Sequence, residues 1–228
     1  MKTVLLLIAL FHLVLSYSYS ENTGVFFINI TDQSADIRLG DESNPAYYIN
    51  GISPYSATGI KTLLKTGKFR INYKSSDNDD WKFWIDKNKN AKVLSINDGD
   101  LFCILLSDKG DIGYYKLKEP EGKGAFVCFL NLTGEKLKKM SVAGSMEDES
   151  EISVNNIDTK TMTNFGSIKE GAYAVYWQTN DQSKNDYHTI KDDDGNDKEF
   201  NFKKRNYYIC VIFKKDDVIY ALCNDISH

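Results

Sequence analysis

Groups able to act as acid, base or nucleophile are scarce in this sequence. Histidine occurs three times, as His12, His188 and His228. His12 lies within an apolar N-terminal run. His188 falls in the polar stretch Asn185-Asp186-Tyr187-His188, where a solvated loop histidine is the expected reading. Asp225-Ile226-Ser227-His228 has the Asp-x-x-His spacing of one large class of serine esterases. That class also needs a Gly-Asp-Ser nucleophile turn, and Gly40-Asp41-Glu42-Ser43 does not fit it. A nucleophile without an activating base and an orienting partner is inert. No pair of carboxylates is singled out for glycoside hydrolysis. The expectation is a chain with no catalytic residues and no cofactor.

Metal and modification motifs are equally thin. Asp192-Asp193-Asp194-Gly195-Asn196-Asp197 is calcium-loop-like, yet an EF-hand starting at Asp192 would have Asp197 where glycine belongs and Lys203 where glutamate belongs. A solvated hairpin turn, with no metal, is the better reading. Asn29-Ile30-Thr31 and Asn131-Leu132-Thr133 match the N-glycosylation acceptor pattern. Their equivalent places in two repeats favour a shared hydrogen-bonding role at a strand end. The four cysteines, Cys103, Cys128, Cys210 and Cys223, are even in number. Three sit in apolar strand-like runs, where a free thiol behaves as a small hydrophobe. A Cys210–Cys223 bond across a hairpin is the alternative, and the sequence leaves the choice open.

Aromatic residues are the surplus. There are 14 tyrosines besides Trp81, Trp84 and Trp177. Most are expected in cores or cross-strand pairs. A minority would form an exposed face for sugar rings or a partner protein, and the three tryptophans are the candidates. Strand periodicity puts Trp81 and Phe83 on one face of their segment and Trp84 on the other.

The elements that position these residues are repeated. Phe26-Phe27-Ile28-Asn29-Ile30-Thr31 recurs as Cys128-Phe129-Leu130-Asn131-Leu132-Thr133, an offset of 102 residues from Asn29 to Asn131. Lys65–Tyr73 aligns with Lys169–Trp177, and Phe102–Leu106 with Ile209–Phe213. Gly67 and its copy Gly171 are expected to supply a positive φ before the following strand. Short alternating or apolar runs end in turn residues throughout, and Asn44-Pro45 is read as a strand break. Seven or eight strands in about 100 residues mark a β-sandwich. The fold class expected is all-β, two tandem β-sandwich domains from an internal duplication. They would span residues 21–117 and 125–228, joined by the linker 118–124, Lys118-Glu119-Pro120-Glu121-Gly122-Lys123-Gly124.

Residues 1–20 read as a signal peptide: Lys2, the apolar run Val4–Leu15, and small residues at Ser18 and Ser20 before the cut. No later run approaches membrane-spanning length, so no membrane span is expected after cleavage. Lys and Arg number 28 against 32 Asp and Glu, and removing Lys2 makes the mature chain one charge more acidic. An acidic chain without a basic stripe is a poor partner for nucleic acid.

The layout resembles the AlgF-like periplasmic accessory proteins of alginate-type exopolysaccharide O-acetylation. The residues carrying the resemblance are Val25–Thr31, Ile52–Gly67 leading into Phe69–Tyr73, Leu101–Leu106 followed by Lys118-Glu119-Pro120, and the restart Ala125–Thr133. The cysteines and the polar insertions Ser75–Asp80 and Asn180–Asn185 depart from that pattern. Similar Asn-x-Ser/Thr strand patterns occur in bacterial surface β-sandwich repeats. The resemblance implies a non-catalytic periplasmic adaptor whose partners are periplasmic or membrane-anchored acetyltransferase proteins. The protein would be secreted if its host lacks an outer membrane. The alternative is a secreted carbohydrate-binding or surface-adhesion protein, with polysaccharide as partner.

Overall fold

In the computed structural model the described residues are 23–227, apart from 42–43, 64–65, 79, 87, 108–110, 121, 145–151 and 182–186. The expected signal peptide and His228 lie outside them. Every named element is a strand. The first half holds β1 (Gly24–Asn29), β2 (Ala35–Asp41), β3 (Asn44–Ile52), β4 (Ser56–Ala57) and β5 (Lys61–Thr62). It continues with β6 (Gly67–Ser75), β7 (Lys82–Phe83), β8 (Val93–Ile96), β9 (Leu101–Leu106) and β10 (Ile112–Leu117). The second half repeats the series as β11 (Ala125–Leu132), β12 (Leu137–Ala143), β13 (Ile152–Ile157), β14 (Thr161–Met162) and β15 (Gly166–Ile168). It ends with β16 (Gly171–Thr179), β17 (His188–Thr189), β18 (Glu199–Phe202), β19 (Tyr207–Lys215) and β20 (Val218–Asp225).

These strands make four five-stranded sheets, two to each half, so the chain is all-β and built from two tandem sandwiches. In the first half, β10-β9-β1 carries β4 and β5 on its far edge and faces β3-β2-β6, which carries β7 and β8. The second half has the same order, with β20-β19-β11 carrying β14 and β15. Its facing sheet is β13-β12-β16, carrying β17 and β18. Asn44-Pro45, expected as a break, lies inside β3 with both residues paired to β2, and Pro45 is the second residue of that edge strand, where a missing N–H is tolerated.

The opening strand of each half pairs in parallel with a late one. β1 runs beside β9 from Gly24↔Leu101 to Asn29↔Leu106, and β11 beside β19 from Phe126↔Tyr207 to Leu132↔Phe213. Parallel pairs are buried on both faces, and their strands read as continuous apolar runs. That condition is met here by a third core. Val25, Phe27, Phe102 and Ile104 pack inside the first sandwich, and Val127, Phe129, Cys210 and Ile212 inside the second. The alternate residues Phe26, Ile28, Cys103, Leu105, Cys128, Leu130, Ile209 and Val211 form one cluster between the sandwiches. The molecule is therefore four sheets deep. The two units are not loosely joined, and two further contacts tie them. The Ile60 N–H donates to the Ile226 carbonyl at 2.7 Å, and the Tyr55 and Phe213 rings stack with centroids 5.6 Å apart.

Gly67 has the expected positive φ, 141°. Gly171 is not among the positive-φ residues, which corrects the expectation for its copy. A Cβ there would instead lie 3.1 Å from the Tyr173 ring, so close packing is what that glycine provides.

Acid sensitivity follows from two carboxylates. Asp100 is buried, which alone would raise its carboxyl. The Lys116 ammonium at 2.5 Å and the Asn97 N–H outweigh that and hold it below its ordinary value. Asp197 is held low by Lys191, against a smaller effect of burial, with the Tyr176 hydroxyl assisting. A depressed folded-state pKa means the unfolded chain binds more protons in acid. The stability these groups confer is present above about pH 4, the unfolded value, and is lost as pH falls through the folded one. The thermal midpoint is thus expected to drop below about pH 4. Asp100→Asn flattens that drop in a pH series of melting curves, and an unchanged slope would refute the assignment.

Candidate functional site

Sequence-predicted residues sort themselves by burial. Trp84 and Trp177 are 8% and 4% exposed and belong to the cores of the first and second sandwich. At that burial neither is an open platform for a partner or a sugar, which corrects that expectation, although Trp84 forms part of the wall of a concavity. Their burial has a simple cause: inner-face positions of sandwich strands are covered by the facing sheet. Trp81 alone stays at the surface, on the side opposite Trp84, as periodicity requires. His188 is exposed and stacks on the Trp177 ring, with centroids 5.6 Å apart and no carboxylate in a hydrogen bond to it among those described.

The two Asn-x-Thr motifs are interior hydrogen-bond hubs. Asn29 and Asn131 are both fully buried. Asn131 Nδ2 donates to the Glu135 and Ile157 carbonyls at 2.8 and 2.9 Å, while Oδ1 accepts from Thr133 N and Oγ1 at 3.0 and 2.8 Å. Asn29 repeats this with Gln33, Ile52 and Thr31. The structural reading of the motif holds in both halves, and the amide nitrogen is not available to a glycan. The acidic loop is a hairpin turn. Asp192 Oδ1 accepts the N–H groups of Asp194 and Asn196, as Asp86 Oδ1 accepts those of Asn88 and Asn90. Gly195 and Lys89 take positive φ at matching places. Among the described residues no group of three potential metal ligands converges. No helix there is long and apolar enough to cross a membrane.

What remains is the outward face of the β3-β2-β6-β7 sheet. Register sets Tyr48, Arg38, Asn72 and Phe83 side by side in one row, with Asp36 and Lys74 paired in the next. Trp81 lies over this face: the Arg38 guanidinium is 3.9 Å from its ring centre, the Lys74 ammonium 5.7 Å, and the Tyr48 ring 6.0 Å. Asp36 anchors the edge, accepting from Gly51 N at 2.8 Å and from the Tyr48 hydroxyl at 3.2 Å. Burial first, then the Asp36 carboxylate, push the Tyr48 phenol above its ordinary value. Beyond Phe83 the face continues through Ile85, two residues on, and Val93, which pairs with Arg70. Tyr48, Phe83, Ile85 and Val93 are 38–48% exposed.

The second sandwich supplies the control. The aligned registers put Ser153 where the first has Tyr48, Ser141 for Arg38, Thr189 for Phe83 and Glu199 for Val93. The isolated bridges match Lys191 with Ile85, and Tyr187 stands in the place of Trp81. The duplicated framework thus exposes Tyr48, Phe83, Ile85 and Val93 on one copy where the other has Ser153, Thr189, Lys191 and Glu199. The centre of the second face is aromatic as well: Tyr176 takes the place of Asn72 and packs with Tyr187, whose ring has the Lys139 ammonium 5.6 Å from its centre. Only Trp81 of this face was expected from sequence. The signal for the rest lay in the differences between the repeats.

A concavity of about 680 Å³ opens between the sandwiches, bordered by Phe83 and Ile85 of this face and lined further by Trp84, Lys92, Lys160 and Lys214 among others. It holds no nucleophile with a base beside it.

No family model matches the sequence, and no curated protein matches it. The tip fimbrial protein Mfa3 from Porphyromonas gingivalis aligns over 90% of this chain and 99% of its own, at 9% identity and a TM-score of 0.29. A fimbrial assembly protein from Parabacteroides distasonis aligns over 90% of this chain and 95% of its own, at 11% identity and a TM-score of 0.27. Likenesses of this order carry no information on function.

Proposed function

We propose that this chain is an exported, non-catalytic binding protein that docks a protein partner on the outer face of its first sandwich. The observation carrying the reading is the asymmetry between the repeats. At the positions matching Tyr48, Phe83, Ile85 and Val93 the second copy has Ser153, Thr189, Lys191 and Glu199, side chains that suit a solvated sheet face. Four large apolar side chains around an Arg–Trp stack need another reason. Trp, Tyr and Arg are the residue types that dominate protein–protein hot spots. The specific role is the one the AlgF-like resemblance implies, an adaptor linking acetyl-transfer proteins during exopolysaccharide O-acetylation in the periplasm. The four-sheet body suits that role as a rigid platform.

A sugar-binding reading rests on the same face, because Trp81 is flanked by Asp36, Lys74 and Tyr48, groups able to bond hydroxyls. Co-purification of the tagged mature chain from an envelope extract of its own host separates the two. Recovery of an O-acyltransferase or a serine-esterase-like acetyltransferase supports the adaptor, whereas polysaccharide alone supports the lectin. Trp81→Ala is expected to weaken capture more than about tenfold, as removal of a hot-spot residue does. Its cost in stability should be about 2 kcal/mol, since Arg38 is only 8% exposed and a desolvated cation–π pair is worth about that much. Full capture by a folded Trp81→Ala/Phe83→Ser variant would remove this face from consideration.

A further inference from the structure

We propose that Cys210 and Cys223 form the redox-active pair of this chain, closing to a disulfide by thiol–disulfide exchange while Cys103 and Cys128 stay reduced. The argument starts at the β19–β20 hairpin. Asp216 and Asp217 both have positive φ, 49° and 64°, the conformation of a two-residue I′ turn. Lys215 and Val218 close it, so hydrogen-bonded and non-hydrogen-bonded pairs alternate outward from them. Counting along the register, Cys210↔Cys223 falls on a non-hydrogen-bonded pair. There the Cα atoms approach to about 4.5 Å, inside the span a disulfide bridges. The two sulfur atoms are 3.4 Å apart as thiols.

Access picks the order of events. Cys210 is fully buried and Cys223 is not. The Cys223 thiolate attacks a small-molecule disulfide, forming a mixed disulfide and releasing one thiol. Cys210 then gives up its proton and attacks the Cys223 sulfur, expelling the second thiol. The protein dithiol loses two electrons and two protons, and the small disulfide takes them up as two thiols. Cys103 and Cys128 are excluded by place. Both lie fully buried in the cluster between the sandwiches, on the opposite face of the sheet from Cys210. Burial pushes both thiols up, as it does that of Cys210, so what sets Cys210 apart is the half-buried Cys223 sulfur 3.4 Å away. Cys128 Sγ instead contacts the Tyr208 carbonyl at 3.8 Å.

Trypsin places the four cysteines on four peptides: Val93–Lys109, Gly124–Lys136, Asn206–Lys214 and Asp216–His228. The folded mature chain is incubated with oxidised glutathione, alkylated in denaturant with iodoacetamide, and digested without reduction. The expected product is Asn206–Lys214 joined to Asp216–His228, two hydrogens lighter than the separate peptides, with the other two peptides alkylated. The oxidised chain should also melt a few degrees above the reduced one, a difference that Cys223→Ser abolishes. A link involving Cys103 or Cys128, or alkylation or glutathione adducts on unlinked Cys210 and Cys223 peptides, would overturn the proposal.

Discussion

Asn131→Ala is expected to lower stability by about 3–5 kcal/mol, far more than its size suggests. The side chain is fully buried, donates to two carbonyls and accepts from the amide and hydroxyl of Thr133. Truncation removes the partner of all four groups at once, and a buried polar group left unsatisfied costs about 1–3 kcal/mol. Water reaching the carbonyl of the exposed Glu135 offsets part of that sum. Asn131→Asp is the sharper test, because it preserves shape. It replaces a donor with an acceptor facing the Glu135 and Ile157 carbonyls, and buries a charge besides. It should therefore be at least as damaging as alanine. Asn29→Ala should match Asn131→Ala closely, since the partners are repeated in kind. Urea midpoints at constant slope report the losses. An Asn131→Ala loss within about 0.5 kcal/mol, the range of an ordinary surface change, would show that the network is not holding the strand end.

These hubs were legible because the motif recurs at the same point of two repeats, beside strands too apolar to be surface. The all-β class and the duplication were legible on the same grounds. Local pattern also put Trp81 and Phe83 on one face and Trp84 on the other. What lay across from each face was not local. Val25–Ile28 alternates between two cores, but a run apolar at every position says only that both sides are covered. Nothing in it says that a second sandwich provides one cover. Parallel pairing of β1 with β9 brings together residues more than 70 positions apart in sequence, beyond the reach of any periodicity. Local pattern does not separate the buried Trp84 and Trp177 from Trp81 for that reason, since a strand tryptophan is a contact or a core residue according to what faces it. The outer face of the first sandwich needed register, because Tyr48, Arg38 and Phe83 come from three segments that only strand pairing aligns.

Phe26→Ala should destabilise both sandwiches together. Phe26 is fully buried, and its ring lies in the cluster between the halves instead of in the core of its own sandwich. Emptying such a site costs about 3–5 kcal/mol in a well-packed interior. Two independent domains would confine that loss to the first. The tryptophans allow the distinction. Trp81 and Trp84 report on the first sandwich, and Trp177 on the second. A Trp177→Phe background follows the first alone, and a Trp81→Phe/Trp84→Phe background follows the second. Because Phe26, Ile28, Leu105, Leu130, Ile209 and Val211 share one apolar cluster, neither half can unfold without exposing the other's inner sheet to water. The two backgrounds should thus show one coincident urea transition, and Phe26→Ala should shift both midpoints by the same amount. The same physics forbids a soluble half: a chain ending at Leu117 would present the apolar outer side of β1 and β9 to solvent and associate through it. Separate transitions, or a monomeric and folded first half, would mean that the central cluster is a contact between finished domains and not a core.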